Sequence, residues 1–330
     1  LSLRGDQPPL SWQRGLPLEQ VAPGLYEMRL PALGGPVQFK PLLDDAIWSR
    51  GRNYHVLPGQ VAEIYPHFWN ERGSWSRRWP RVRSDLLGNE RGVWVYLPPG
   101  YDENPLARYP VLYMHDGQNL FDPRAAFLGV TWRVAETLDR GSGALDPAEH
   151  IPEIIVVGAE NAGPQRLYEY TPTEGGRGGG GGDLYLRFLV EELKPRVDSE
   201  LRTRPDRSAL CGSSLGGLIS AYAGLRHPHV FRRIALLSPS TWWDNRYIIG
   251  AVLASRDRWP RPERVYLDSG DAGPGRDDVD NTTLLAQAYR DIGYRDGHDL
   301  LHVIQPGALH NEAFWAERLP GALRFLLAGW

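Results

Sequence analysis

Cysteine is all but missing from this chain of 330 residues: Cys211 stands alone, so neither an intrachain disulfide nor a cysteine-rich zinc site can form. Lysine is nearly as scarce. Of the 37 basic residues, only Lys40 and Lys194 are lysines, and neither occupies the context of a phosphate-binding P-loop or a Schiff-base site. No run of about 18 apolar residues exists to span a bilayer, and no secretory signal is legible, so a soluble, cytoplasmic chain is expected. A strong excess of one charge is also absent. A net charge of −3 and a pI near 6.3 give no electrostatic footprint for nucleic acid or an anionic membrane. The hydrophobic share of 42% and charged share of 23% are those of an ordinary folded protein, and the length predicts two domains.

Residues 1–70 read as short alternating runs, Leu1–Gly5, Gly24–Leu30, Val37–Leu43 and Gln60–Tyr65, separated by Pro- and Gly-containing turns. That pattern predicts a small all-β sandwich. Its aromatic residues Trp12, Trp48 and Tyr54 are expected in its core, since tryptophan is highly buried on average. Residues 71–84, with their tryptophans and arginines, read as a solvated connector. From residue 85 to 330 the period changes. Strands are predicted at 93–101, 111–115, 154–158, 208–211, 233–237, 265–268 and 300–304. Helices are predicted at 131–138, 184–201, after Ser214, and at 282–292 and 312–327. Alternating strands and helices predict an α/β domain: a parallel sheet with helices on both faces. The glycine run at 175–182 contains G-x-G-x-x-G, but it follows a Tyr-Thr-Pro-Thr-Glu loop rather than a strand, so a mobile loop is expected instead of a dinucleotide site.

The chemistry centres on Gly212-Ser213-Ser214-Leu215-Gly216, a G-x-S-x-G between an apolar strand and a helix. This is the strand–turn–helix setting in which Ser214 would be an exposed nucleophile. Such a serine needs a base, a group that orients the base, and donors for an oxyanion. In α/β-hydrolases the order is Ser, acid, His. Of the histidines after Ser214, His227 and His229 come too early, and His302 lies inside a strand with His298 in the turn before it. His310 follows the last strand and is the candidate base. The acid should lie beyond the strand ending near Asp268, where Asp271, Asp277, Asp278 and Asp280 compete with Asp268 itself; spacing does not choose between Asp271 and Asp277. The backbone N–H groups of Leu215 and Gln118 are the candidate oxyanion donors, and Trp242 and Trp243 are candidates for the substrate pocket. No metal or cofactor is called for.

Several separated stretches carry a resemblance. They are Val95–Tyr101, Tyr113-Met114-His115-Asp116-Gly117-Gln118-Asn119, Gly212–Gly217, Ser238-Pro239-Ser240-Thr241-Trp242-Trp243, and His310-Asn311-Glu312 with Trp315. Together, over residues 80–330, they resemble the enterochelin esterase and esterase D type of α/β-hydrolase, a family that includes feruloyl esterases and mycolyltransferases. The resemblance implies a cofactor-free serine esterase with Ser214 and His310 in its triad, acting on a small-molecule or glycan ester of siderophore, hydroxycinnamoyl or sugar-linked type. At the acid the chain departs from the family's pattern, because the usual position is Gly273. Aligning the longer loop brings Asp277 into register, with Asp271 as the runner-up. Residues 42–54 resemble early-set and starch-binding-type modules, which implies a carbohydrate-binding-like first domain. The alternative function is a non-catalytic carbohydrate-binding or interaction protein on the same scaffold.

Overall fold

The computed structural model describes residues 1–31 and 34–330, which form two compact units. One comprises Leu1–Gly73 with Pro98–Ala107 and Asp139–His150. It is built on antiparallel strands: β1 (Ser2–Gly5), β2 (Leu16–Pro17), β3 (Glu19–Ala22), β4 (Leu25–Glu27), β5 (Val37–Leu43), β6 (Ile47–Trp48) and β7 (Tyr54–Val56). A five-stranded sheet runs β2-β1-β5-β6 with β7 also on β5, and β3 and β4 pair as a separate ribbon. Alternation puts Val37 and Phe39 of β5 inward against Leu3 and Leu10. Trp48 departs from the core placement expected for it: it is 40% exposed, tilted against Trp12 with ring centroids 6.3 Å apart, with the Arg4 guanidinium 5.2 Å above it. Strand β6 is only two residues long and lies at the sheet edge, so its indole has no second layer to enter.

The other unit holds an eight-stranded sheet of β8 (Ser74–Ser84), β9 (Asn89–Leu97), β10 (Tyr109–Met114), β11 (Ile155–Ala159), β14 (Thr203–Ser213), β15 (Phe231–Leu237), β16 (Arg264–Gly270) and β17 (Leu300–Gln305). The spatial order is β17-β16-β15-β14-β10-β11-β9-β8. Strand β9 is antiparallel to both its neighbours, and every other pairing is parallel. The expectation of a connector at 71–84 is corrected here, because Ser74–Ser84 is an edge strand. Register shifts between Ser76 and Trp79 and between Trp79 and Val82 break the period of two that would have revealed it. Its exposed arginines and Pro80 are what an edge strand tolerates.

The helices are α1 (Val134–Ser142), α2 (Arg166–Glu169), α3 (Gly182–Arg187), α4 (Lys194–Glu200), α5 (Leu215–Arg226), α6 (Trp243–Leu253), α7 (Val279–Asp291) and α8 (Glu312–Leu327). The single helix expected at 184–201 is divided, with Phe188–Leu193 forming a wide π turn between α3 and α4. Pro195 near the start of α4 has no N–H to offer the preceding turn, and the ladder adjusts around it. The glycine run is a short ribbon, β12 (Glu174–Gly175) against β13 (Gly178–Gly179), and not the loop expected.

Parallel register is what assembles a site. Met114 pairs with Cys211, Ser213 with Leu237, Leu237 with Asp268, and Gly270 with Gln305. The carboxyl ends of β10, β14, β15, β16 and β17 therefore lie along one edge, and the loop after each opens on the same crevice.

Candidate active site

Ser214 caps α5 with φ 55° and ψ −121°, a conformation that costs a non-glycine residue energy and holds its side chain out from the strand. The approach is close. A Cβ at Gly212 would lie 2.6 Å from the backbone of Gly216 and from the His115 ring, so position 212 admits only glycine. The N–H of Ser214 donates to Leu237 O at 3.0 Å, and its carbonyl accepts the Ser240 N–H at 2.9 Å. Its hydroxyl lies 3.3 Å from Ser240 Oγ. Leu215 is the first residue of α5, so its N–H has no partner within the helix.

His310 follows β17, and Asp277 lies on the loop after β16. The structure brings the two together: His310 Nδ1 is 2.5 Å from Asp277 Oδ1. The carboxylate is fully buried, while the imidazole is 42% exposed. Asp277 Oδ2 accepts the Ser238 hydroxyl at 2.7 Å and the Gly270 N–H. Burial pushes this carboxyl up, but the bonds from His310, Gly270 and Ser238 outweigh it and hold its pKa below the ordinary value. Arg276, Asp277 and Asp278 all have positive φ, and this left-handed run is what folds the loop back over the end of β16. Asp271 has a different partner. Its Oδ1 accepts the Gly307 N–H at 2.7 Å, tying the loop that carries His310 to the end of β16. Asp268 is buried beneath Ser238 and Arg318, and burial raises its pKa against the pull of Arg318. Asp278 accepts the Trp242 N–H at 3.2 Å.

Gln118 is on the turn Gly117–Asn119 after β10, next to His115 and Asp116, which lie against Gly212 and Gly216 of the elbow. Asp116, with φ 54°, starts that turn. It is held by Arg166 at 2.7 Å through two nitrogens, by Asn161 at 2.7 Å, and by a 3.2 Å bond from its own N–H to the Tyr170 hydroxyl. His115 is wholly buried with Nδ1 2.9 Å from the Tyr185 hydroxyl, and burial drives its pKa down to about 3, so it is a neutral packing element. Sequence reasoning missed Arg166, Asn161 and Tyr170. They come from the segment after β11 and have no spacing relation to β10. Glu312, at the start of α8, is a half-buried carboxyl whose pKa is raised first by desolvation and then by Asp116, against the pull of His310 and Arg166.

The two tryptophans separate. Trp242 is 45% exposed and follows Ser240 by two residues. Trp243 is 2% exposed, so its expected place in a substrate pocket is corrected: Nε1 donates to Thr173 O at 3.1 Å, and the ring packs under Gly175 and Gly179 of the β12–β13 ribbon.

A mostly parallel sheet with one reversed strand and a strand–serine–helix turn at its carboxyl edge defines the mixed α/β class of hydrolase scaffolds. The family described as "Putative esterase" matches residues 84–326, and the chain belongs to this esterase family as a carboxylic ester hydrolase. The protein YbbA of Bacillus subtilis is 26% identical over 259 residues, 74% of this chain and 95% of its own length. The iron(III) enterobactin esterase of Dickeya dadantii is 27% identical over 300 residues, covering 86% of this chain but only 59% of that protein. An IroE-like serine hydrolase from Shewanella oneidensis shares the fold, with a TM-score of 0.60 at 24% identity over 77% of this chain and 80% of that one.

Proposed function

We propose that this protein is a serine esterase in which Ser214 is the nucleophile, His310 its base and Asp277 the acid that orients the base. The observation that carries this reading is the 2.5 Å bond between His310 and Asp277 at the sheet edge where Ser214 stands. With Nδ1 engaged by a carboxylate, the imidazole keeps its proton on that nitrogen, and Nε2 is left to accept one. Ser214 Oγ then attacks the ester carbonyl as its proton passes to Nε2. The oxyanion is held by the Leu215 and Gln118 N–H groups. Collapse expels the alcohol, which takes the proton from His310 and leaves an acyl group on Ser214. Water, deprotonated by His310, attacks that acyl group and releases the carboxylic acid.

For the substrate, the exposed ring of Trp242, two residues from the Ser240 that touches Ser214, supports esters with a planar aromatic acyl group, of which hydroxycinnamoyl and siderophore esters are examples. The first compact unit is read as an accessory β module, with its Trp12–Trp48 pair available to a sugar-linked substrate.

Hydrolysis of p-nitrophenyl acetate tests the reaction class, and its pH profile tests the base. A protonated histidine cannot accept the serine proton, so kcat/KM is expected to fall on acidification. A rate flat down to pH 5 excludes a histidine base, and absence of turnover on acetyl, feruloyl and siderophore esters alike favours the non-catalytic alternative. The oxyanion donor has its own test. A Cβ at Gly117 would lie 2.2 Å from Gly158 O, so Gly117→Ala must displace the turn carrying Gln118. An approximately 100-fold loss in kcat with little change in KM is expected, the scale of losing one oxyanion donor. An unchanged kcat would remove Gln118 from the hole.

A further inference from the structure

The buried turn Ser238-Pro239-Ser240 joins the two halves of the site. At one end Ser240 meets Ser214 through main chain and hydroxyl. At the other end Ser238 meets Asp277, and the direction of that bond is dictated by its neighbours. Ser238 Oγ lies 3.0 Å from Trp315 Nε1 and 2.8 Å from Arg318 Nη2. Both are groups that can only donate. Their bonds occupy the two lone pairs of the hydroxyl, and its single proton is left for Asp277 Oδ2, 2.7 Å away. All of this is dry: Ser238, Asp277 and Arg318 are 1%, 3% and 6% exposed.

Trp315 and Arg318 are three residues apart on α8 and so share a face. Trp315 also stands edge-on to the His310 ring, with centroids 5.1 Å apart. Arg318 pairs with Asp268 at 3.0 Å and lies 3.9 Å from Asp277 Oδ2, while Nη1 donates to Gln305 at 3.0 Å. One guanidinium thus serves two buried carboxylates, directly for Asp268 and chiefly through the Ser238 hydroxyl for Asp277.

We propose that Ser238, locked by Trp315 and Arg318, is a positioning residue for the triad acid: it reserves Oδ2 of Asp277 so that Oδ1 faces His310, and it passes the influence of Arg318 to that carboxylate. This rests on the triad reading above. Sharing the carboxylate's charge with the serine proton and Arg318 weakens its hold on a protonated His310. Removing either donor therefore strengthens that hold and moves the acid limb of the rate profile to higher pH. Among the described residues Asp277 and Glu312 act on His310 directly, with Arg318 behind Asp277 at 3.9 Å from its Oδ2, and the variants below leave the first two in place.

Ser238 has φ 41°. Alanine bears the same backbone cost, so Ser238→Ala removes only the hydroxyl. Its kcat on p-nitrophenyl acetate is expected to fall about 10-fold or more through misalignment of the base, with KM little changed and the acid limb displaced upward. Ser238→Cys, which keeps the size and a weak donor, should fall between alanine and the parent. Arg318→Gln should move the limb in the same direction, and Arg318→Lys, which retains the charge, should restore it. A parental kcat and profile in Ser238→Ala overturn the proposal. So does a loss of activity that tracks a lowered Tm while the limb stays in place, because that is a purely structural effect. If His310→Ala retains turnover, the triad reading fails; if His310→Ala is inactive and Ser238→Ala is unaffected, only the role of Ser238 fails.

Discussion

Ser214→Ala is expected to lower ester turnover by about 10⁴-fold or more while leaving the thermal transition near that of the parent. The loss is large because no other hydroxyl can take over. Ser213 ends β14 and Ser240 lies under the elbow, each 3% exposed, whereas Ser214 is held out from the strand by its own backbone. Folding is expected to persist because alanine tolerates φ 55° no worse than serine and the only side-chain bond removed is the long 3.3 Å contact with the Ser240 hydroxyl. An organophosphate should phosphorylate Ser214 alone, read by peptide mass mapping, and the variant should remain unlabelled. Labelling at Ser213 or Ser240, or residual turnover above a few per cent, would move the nucleophile elsewhere.

The second large effect concerns the acid. Asp277→Asn is expected to lower kcat by more than about 100-fold, the consequence of holding a catalytic histidine in the wrong tautomer. Asp277 Oδ2 is fixed by donors on Ser238 and Gly270, so the amide oxygen of asparagine must take that place. Its NH2 then faces His310 Nδ1, which has to become an acceptor. The ring proton moves to Nε2, and the nitrogen meant to receive the serine proton already carries one. The left-handed backbone at 277 suits asparagine, so the fold should be retained. Asp271→Asn should cost only a few-fold by comparison, because the bond from Gly307 needs a carbonyl-type acceptor that asparagine still provides. The reverse ranking of the two kcat values would transfer the role to Asp271.

The elbow was legible because its cause is local. A tight strand-to-helix turn requires glycines at fixed offsets from the serine, and the apolar run before it and the helical run after it are contiguous in the chain. His310 was legible for a related reason: in a parallel sheet, chain order determines which loop follows which strand. The choice between Asp271 and Asp277 was not legible from spacing, since both lie on one glycine-containing loop and only its left-handed turns decide which carboxyl comes back over β16. Trp242 and Trp243 are adjacent in sequence and opposite in environment, because the β12–β13 ribbon covers one and not the other.

The sequence by itself determined the fold class, the strand and helix that flank Ser214, the position of His310 after the last strand, and the esterase family, all through signals contained in a few consecutive residues or in their order. Tertiary structure alone decided that Ser74–Ser84 is an edge strand and that Arg166 braces the loop of Gln118, and it brought Asp277, which spacing did not separate from Asp271 and only the family resemblance favoured, against His310. It also decided that Ser238 gathers Trp315, Arg318 and Asp277 around its hydroxyl and Asp268 on its backbone N–H. Ser238, the stretch from Asp268 to Asp277, and the face of α8 that carries Trp315 and Arg318 are separated from one another by tens of residues. Hydrogen bonds and burial between them exist only once the parallel strands have brought their carboxyl ends to a common edge, and no local preference of the chain encodes them.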